Sequence, residues 1–186
     1  MEANQLDLFA NAPIPKSASR PQSLSMDAAA LVEWKAKVAA HQQRAKAHQL
    51  VQGTLFDVAR AHVDPDKIDP FSLSPYPMSF YRLPANSPGE ACIYFVLDSA
   101  AGLLLYVGET SRSNKRWKGT HDCKRYIDKY QSLHYQHGLS SAINMAFWWD
   151  APLQTRARQQ LELSLIQKWQ PPFNKENWTV WAAPFV

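Results

Sequence analysis

Two short apolar runs separated by five residues constrain this chain more than any other feature. Ala91–Leu97 (ACIYFVL) and Leu103–Val107 (LLLYV) are rich in aromatic and branched residues, and Asp98-Ser-Ala-Ala-Gly102 lies between them. Runs this short, bounded by Pro88-Gly89 before and Gly108 after, read as the two strands of an antiparallel hairpin. Ile143–Trp149 (INMAFWW) reads as a third strand. Pro152 opens a helix through Trp169, proline being permitted at its start, and Pro171-Pro172 ends it. Ser113–Tyr130 reads as a basic helical region broken near Gly119-Thr120. The expected fold over residues 90–186 is α/β, a small three-stranded antiparallel sheet flanked by helices.

The first half has a different character. Nine of the thirteen prolines precede residue 90, in two clusters with a proline-free stretch between them. Residues 1–25 are polar and aperiodic, which predicts a disordered tail. Residues 26–60 form a helical segment. Asp27 can cap it, and Leu31, Trp34 and Val38 give it a narrow apolar face, so the helix is expected to pack weakly or to await a partner. Residues 61–89 form a proline-rich arm whose Asp-Pro, Ser-Pro and Tyr-Pro steps enforce extended backbone. Tyr76, Phe80 and Tyr81 suggest that the arm lies over the folded domain.

Charge divides the chain the same way. Residues 1–90 hold nine basic and nine acidic side chains; residues 91–186 hold eleven and seven, so the whole net +4 sits there. Arg112–Lys129 carries seven basic residues against two acidic ones, a net +5 that would attract a polyanion. A run of this kind seen alone is more often a solvated helix face. No stretch reaches the ~20 consecutive apolar residues of a membrane helix. The beginning of the sequence carries no export pattern, and two cysteines make neither a disulfide framework nor a structural zinc site. A soluble, cytoplasmic, nucleoid-associated protein with no membrane partner is expected.

Five elements then recur in a telling order: Cys92-Ile93-Tyr94, Tyr106-Val107-Gly108, Lys115-Arg116-Trp117, a helical Glu162, and Phe173-Asn174. Over roughly residues 90–176 this resembles the GIY-YIG nuclease superfamily, which includes homing endonucleases, some restriction enzymes, excision-repair nucleases and structure-specific resolving nucleases. The resemblance implies a metal-dependent DNA endonuclease hydrolysing phosphodiester bonds, in DNA repair or replication-linked processing. The rival is a noncatalytic DNA-binding or clamp-associated scaffold that keeps the fold.

Chemistry supports the same residues. Tyr94 and Tyr106 on neighbouring strands can direct both hydroxyls to one face, though each alone would pass for an ordinary strand aromatic. Gly108 would let a phosphate approach the backbone. Arg116 has the planar fork that suits phosphoryl oxygens, and Arg112 could replace it. Lys115, Lys118, Lys124 and Arg125 suit nonspecific backbone contacts with DNA. Glu162 interrupts an apolar helix and needs a cation: either Arg158 one turn earlier or, as the resemblance implies, Mg²⁺ (or Mn²⁺) completed by phosphate and water.

The resemblance further implies that Tyr106 positions or deprotonates the water and that Tyr94 orients it. His121 would be a helper histidine, with His134 and His137 weaker candidates. Asn174 would brace the site or touch phosphate. Two positions depart from the pattern. Cys92 stands where the first glycine of the family name belongs, and Glu109 stands where excision-repair members place a lysine. The aromatic tail Trp169, Phe173, Trp178, Trp181 and Phe185 is expected to complete a core rather than to stack bases.

Near the other end, Gln5-Leu6-Asp7-Leu8-Phe9 resembles the peptide by which bacterial polymerases and repair proteins dock onto the sliding clamp. Leu8 and Phe9 are apolar anchors in a segment too polar to fold, and a pre-formed pocket would receive them. Gln52–Phe56 repeats the spacing loosely and reads instead as a helix end at Gly53. Replacing Leu8 and Phe9 together by alanine is expected to abolish retention on immobilised clamp and to spare cleavage of free DNA. Undiminished retention in that pull-down would remove the tail from the contact.

Overall fold

The computed structural model describes residues 26–48, 63–78, 91–111 and 122–182. The clamp-like peptide, the Gln52–Phe56 repeat, Phe80, Tyr81, Phe185 and the Arg112–His121 stretch lie outside the described residues. Helix α1 (Ala28–His48) begins where Asp27 can cap it, with Asp27 Oδ1 accepting the Ala30 amide at 2.8 Å. The sheet comprises β1 (Tyr76–Pro77), β2 (Cys92–Asp98), β3 (Leu103–Thr110) and β4 (Ile143–Trp148). Its order is β1-β4-β2-β3, and every pairing is antiparallel. Helices α2 (Asp122–Gln136) and α3 (Thr155–Trp169) complete the framework, with a final single turn α4 (Trp178–Trp181). No described helix is long and apolar enough to cross a membrane.

The sheet has four strands, not the three expected from the sequence. The additional strand comes from the proline-rich arm, where Tyr76 pairs with Met145 and Pro77 with Asn144. Two residues are too few to show an alternating pattern, and proline is tolerated there because the strand lies at the sheet's edge. Earlier in the arm, Ile68 is buried beside α3 and the Phe71 ring meets Trp169 edge-on at 5.6 Å. Helix α3 starts at Thr155, three residues later than Pro152 suggested, and ends as expected with Gln170 in the left-handed region at φ 44°.

Every residue of β2 is buried, because helices cover both faces of the sheet. One face carries Tyr94, Val96, Leu103, Leu105 and Phe147 against Leu31, Trp34 and Val38 of α1 and Tyr126, Ile127 and Tyr130 of α2. The other carries Ile93, Phe95, Leu104 and Val107 against Leu161, Leu165, Ile166 and Trp169 of α3. The narrow stripe of α1 is therefore not weakly packed, since its three residues go fully into the core. A narrow stripe suffices because α1 also lies along the open side of β3 and contacts α3.

A register shift divides the hairpin. Leu97 pairs with Leu104 but Val96 pairs with Tyr106, so Leu105 is an extra residue in β3. Leu103 and Leu105 both face the α1 side, and strict alternation would then send Tyr106 towards α3. The bulge resets the phase, placing Tyr106 on the face that holds Tyr94.

Gln42 of α1 supports this irregular stretch. Its Nε2 donates to the Leu104 carbonyl at 2.8 Å and its Oε1 accepts the Leu104 amide at 2.9 Å, with the residue only 2% exposed. Gln42→Ala leaves two buried backbone groups without partners, each costing about 1–3 kcal/mol. The expected result in urea unfolding is a loss of about 2 kcal/mol or more. A loss within the ~0.5 kcal/mol of an ordinary surface change would show that the bracket does not hold the edge.

Candidate active site

Antiparallel pairing places Tyr94 directly across from Gly108 and Tyr106 across from Val96, on the same sheet face. The two phenol rings stack with centroids 6.0 Å apart and planes inclined by 26°. Tyr94 is fully buried and Tyr106 is half-buried, so of the pair Tyr106 is the one that reaches towards solvent. Glycine at 108 is required by the Tyr94 ring, since a Cβ there would sit 2.2 Å from Cζ of Tyr94. The room expected for a phosphate above Gly108 is filled by that ring.

Helix α3 packs on the opposite face, yet its Glu162 reaches the free side of β3. Glu162 Oε1 accepts the Glu109 amide at 3.1 Å, one of the backbone groups that point away from β2. The carboxylate thus lies at the strand's edge, where both faces are within reach. Its negative charge is felt by Tyr106. Burial chiefly, then Tyr94, Cys123 and Glu162, push the Tyr106 hydroxyl well above the ordinary phenol range. Without added positive charge nearby, this phenol therefore serves as a hydrogen-bond donor.

Asn174 follows the Pro171-Pro172 turn and is 4% exposed. Its Oδ1 accepts the Val107 amide and its Nδ2 donates to the Val107 carbonyl, both at 2.9 Å. The neighbouring Phe173 amide donates to the Leu105 carbonyl at 2.9 Å. Asn174 therefore braces the strand between the two tyrosines and Glu109.

The ion pair anticipated between Arg158 and Glu162 is not what forms. Arg158 Nε donates to Glu109 Oε2, and its side chain is 1% exposed, deep within the helix–sheet interface. The remaining guanidinium nitrogens reach the carbonyls of Pro152 and Leu153 at 3.0 Å each and Thr155 Oγ1 at 3.5 Å. Sequence reasoning singled out Glu109 only as a departure and Arg158 only as a surface partner. The available signal was their joint occurrence: an acid on a buried strand and a base on the buried side of an apolar helix.

Of the other candidates, Lys124 and Arg125 lie on the first turn of α2. Arg125 is held 3.6 Å from Asp122 and over the Tyr126 ring at 5.4 Å. Arg112, Lys115, Arg116, Lys118 and His121 lie outside the described residues. His134 is buried on α2 near the hairpin turn, where Nδ1 donates to the Tyr130 carbonyl at 2.8 Å and Nε2 receives Lys35 Nζ at 2.9 Å. His137 Nε2 meets the Met26 carbonyl. The Cys92 thiol is pushed up to about 12 by burial and behaves as a packing group. Trp169 and Phe173 belong to the core, and Trp178 and Trp181 pack against it.

Paired tyrosines on a bulged hairpin, a helical glutamate at the strand edge and an asparagine brace agree with one comparison. Residues 90–177 match the GIY-YIG catalytic domain. Neither a curated protein nor a solved structure matches the chain. The GIY-YIG match begins one residue before the described start of the hairpin and ends at Asn177, so α1 lies outside it while the Leu104 that its Gln42 holds lies within.

Among the described residues, no three metal-ligating side chains converge. A divalent ion at Glu162 would accordingly take one protein carboxylate. Glu162, which gives Oε1 to the Glu109 amide, is a hard oxygen donor of the type a divalent cation completed by phosphate and water takes.

The Gly108–Tyr94 contact carries its own test. Gly108→Ala is expected to cost about 1–3 kcal/mol in thermal or denaturant unfolding, the range for overpacking a rigid core. Adding Tyr94→Leu to that variant should recover much of the loss. Equal stability of Gly108→Ala and wild type would show that the ring has room to move.

Proposed function

We propose that this protein is a metal-dependent DNA endonuclease of the GIY-YIG type, acting in repair or replication-linked processing and brought to DNA by the sliding clamp through Gln5, Leu6, Leu8 and Phe9. One observation carries the reading: within a segment matching the GIY-YIG catalytic domain, Tyr94 and Tyr106 stack on one face of the hairpin and Glu162 takes the Glu109 amide three residues further along β3. The clamp would supply local concentration rather than chemistry.

Hydrolysis forms a bond from a water oxygen to phosphorus and breaks the bond from phosphorus to the leaving sugar oxygen. The water must lose a proton, the leaving oxygen must gain one, and charge grows on the phosphoryl oxygens. In this reading Tyr106 orients the water through its hydroxyl, and it takes the proton only when positive charge nearby lowers its affinity for its own. Arg116 supplies such charge and clamps the phosphoryl oxygens. His121 is placed in sequence to return a proton to the leaving oxygen. Asn174 and the Glu109 amide keep Tyr106 and Glu162 in fixed relation. Mg²⁺ or Mn²⁺, when held by Glu162, supplies the charge neutralisation that one arginine lacks.

A second reading, a noncatalytic DNA-binding scaffold attached to the clamp, is favoured by one observation, the Glu109 carboxylate bound to Arg158 where the resemblance would place a lysine near the second tyrosine. Purified protein with Mg²⁺ or Mn²⁺ on nicked, flapped, branched and supercoiled DNA separates the two. Glu162→Gln keeps an oxygen for the Glu109 amide, so the fold should persist while metal-dependent cutting disappears and DNA binding stays. Tyr106→Phe is expected to lower the cutting rate by about 10²-fold or more. Full cutting by Glu162→Gln would end the metal-ligand role, and absence of cutting by wild type on every substrate would favour the scaffold.

A further inference from the structure

Two carboxylates, Glu109 and Glu162, stand at the end of β3 and take different partners. Glu109 donates its amide to Glu162 and turns its own carboxylate the other way, to Arg158. Arg158 is one helical turn before Glu162 on α3, and it is the immovable member of the pair. Its side chain is 1% exposed against 18% for Glu109, and the carbonyls of Pro152 and Leu153 both accept from its Nη1.

We propose that Arg158 is a positioning residue that withholds Glu109 from the divalent cation, keeping the centre a one-carboxylate site. The proposal rests on the reading of Glu162 as the cation ligand. With Arg158 neutral, two carboxylates tied to one backbone amide would repel one another and draw a divalent cation between them. Such a site binds metal more tightly. A single carboxylate leaves the ion's coordination to phosphate and water, so substrate completes the centre.

The test is Mn²⁺ binding to the intact chain on DNA, followed by the electron paramagnetic resonance of the free ion, alongside cleavage. Arg158→Met is expected to tighten Mn²⁺ binding about tenfold or more, and Glu109→Gln/Arg158→Met to return it to the wild-type value. Arg158→Lys, which retains the charge, should stay within about twofold of wild type. Unchanged or weaker binding by Arg158→Met overturns the proposal, as does a gain that survives in the double variant.

Should Arg158→Met be unfolded without metal, Mn²⁺ is expected to refold it, and the double variant should fold without metal. Failure of excess Mn²⁺ to restore the fold would equally overturn the proposal. Glu162→Gln in the otherwise native chain keeps the two questions apart. Mn²⁺ binding that survives this change refutes the ligand reading itself, whatever Arg158 does.

Discussion

An edge strand presents a row of backbone N–H and C=O groups with no neighbour to pair them, and in this protein that row on β3 organises everything else. Gln42 takes both groups of Leu104, the Phe173 amide takes the carbonyl of Leu105, Asn174 takes both groups of Val107, and Glu162 takes the amide of Glu109. Three separate segments thus act together as the missing fifth strand. Because each is a side chain or a turn rather than a continuous strand, chemistry can be placed where backbone would otherwise lie. Glu162 is at once the last rung of the ladder and the carboxylate of the proposed centre.

The hairpin, the third long strand and helix α3 were legible because their apolar runs are unbroken or periodic and are bounded by glycine and proline. The two-residue β1 was not, since Tyr76-Pro77 offers no period to read. The role of α1 was hidden for another reason. Leu31, Trp34 and Val38 make a stripe that suits a weakly held helix, and the anchoring bonds come from Gln42, a residue whose composition says only that it is polar. The Leu103-Leu104-Leu105 run conceals which leucine is supernumerary, because three identical side chains erase the alternation that would expose a bulge. Tyr94, Tyr106, Glu162 and Asn174 were found through their order along the chain. The Glu109–Arg158 pair was missed, since strand and helix positions pair only once packing has brought them together.

Among the described residues, buried charge comes with its counterpart. Asp98, fully buried at the hairpin turn, receives the Tyr130 hydroxyl at 2.7 Å and the amides of Ala100 and Ala142. Lys35 of α1 lies 3.7 Å from the same carboxylate and 2.9 Å from Nε2 of His134, an arrangement that requires neutral imidazole. Burial lowers the proton affinity of His134 and agrees with that state. The helix that precedes the GIY-YIG match is therefore joined to it by a polar network at one end and by Gln42 further along.

The extra leucine in β3 makes pairing, rather than chain length, decide which face Tyr106 takes. One residue fewer between Leu104 and Tyr106 only removes the bulge: Leu97 still pairs with Leu104 and Val96 with Tyr106, and the phenol stays beside Tyr94. Loss of the bulge at unchanged length is the damaging change, because regular pairing of Leu105 with Val96 turns Tyr106 under α3 and Val107 towards α2. Sequences that keep all the named residues but pair without the bulge would preserve the inventory of the site and lose its handedness. That one irregular step is as much a part of the centre as any side chain in it.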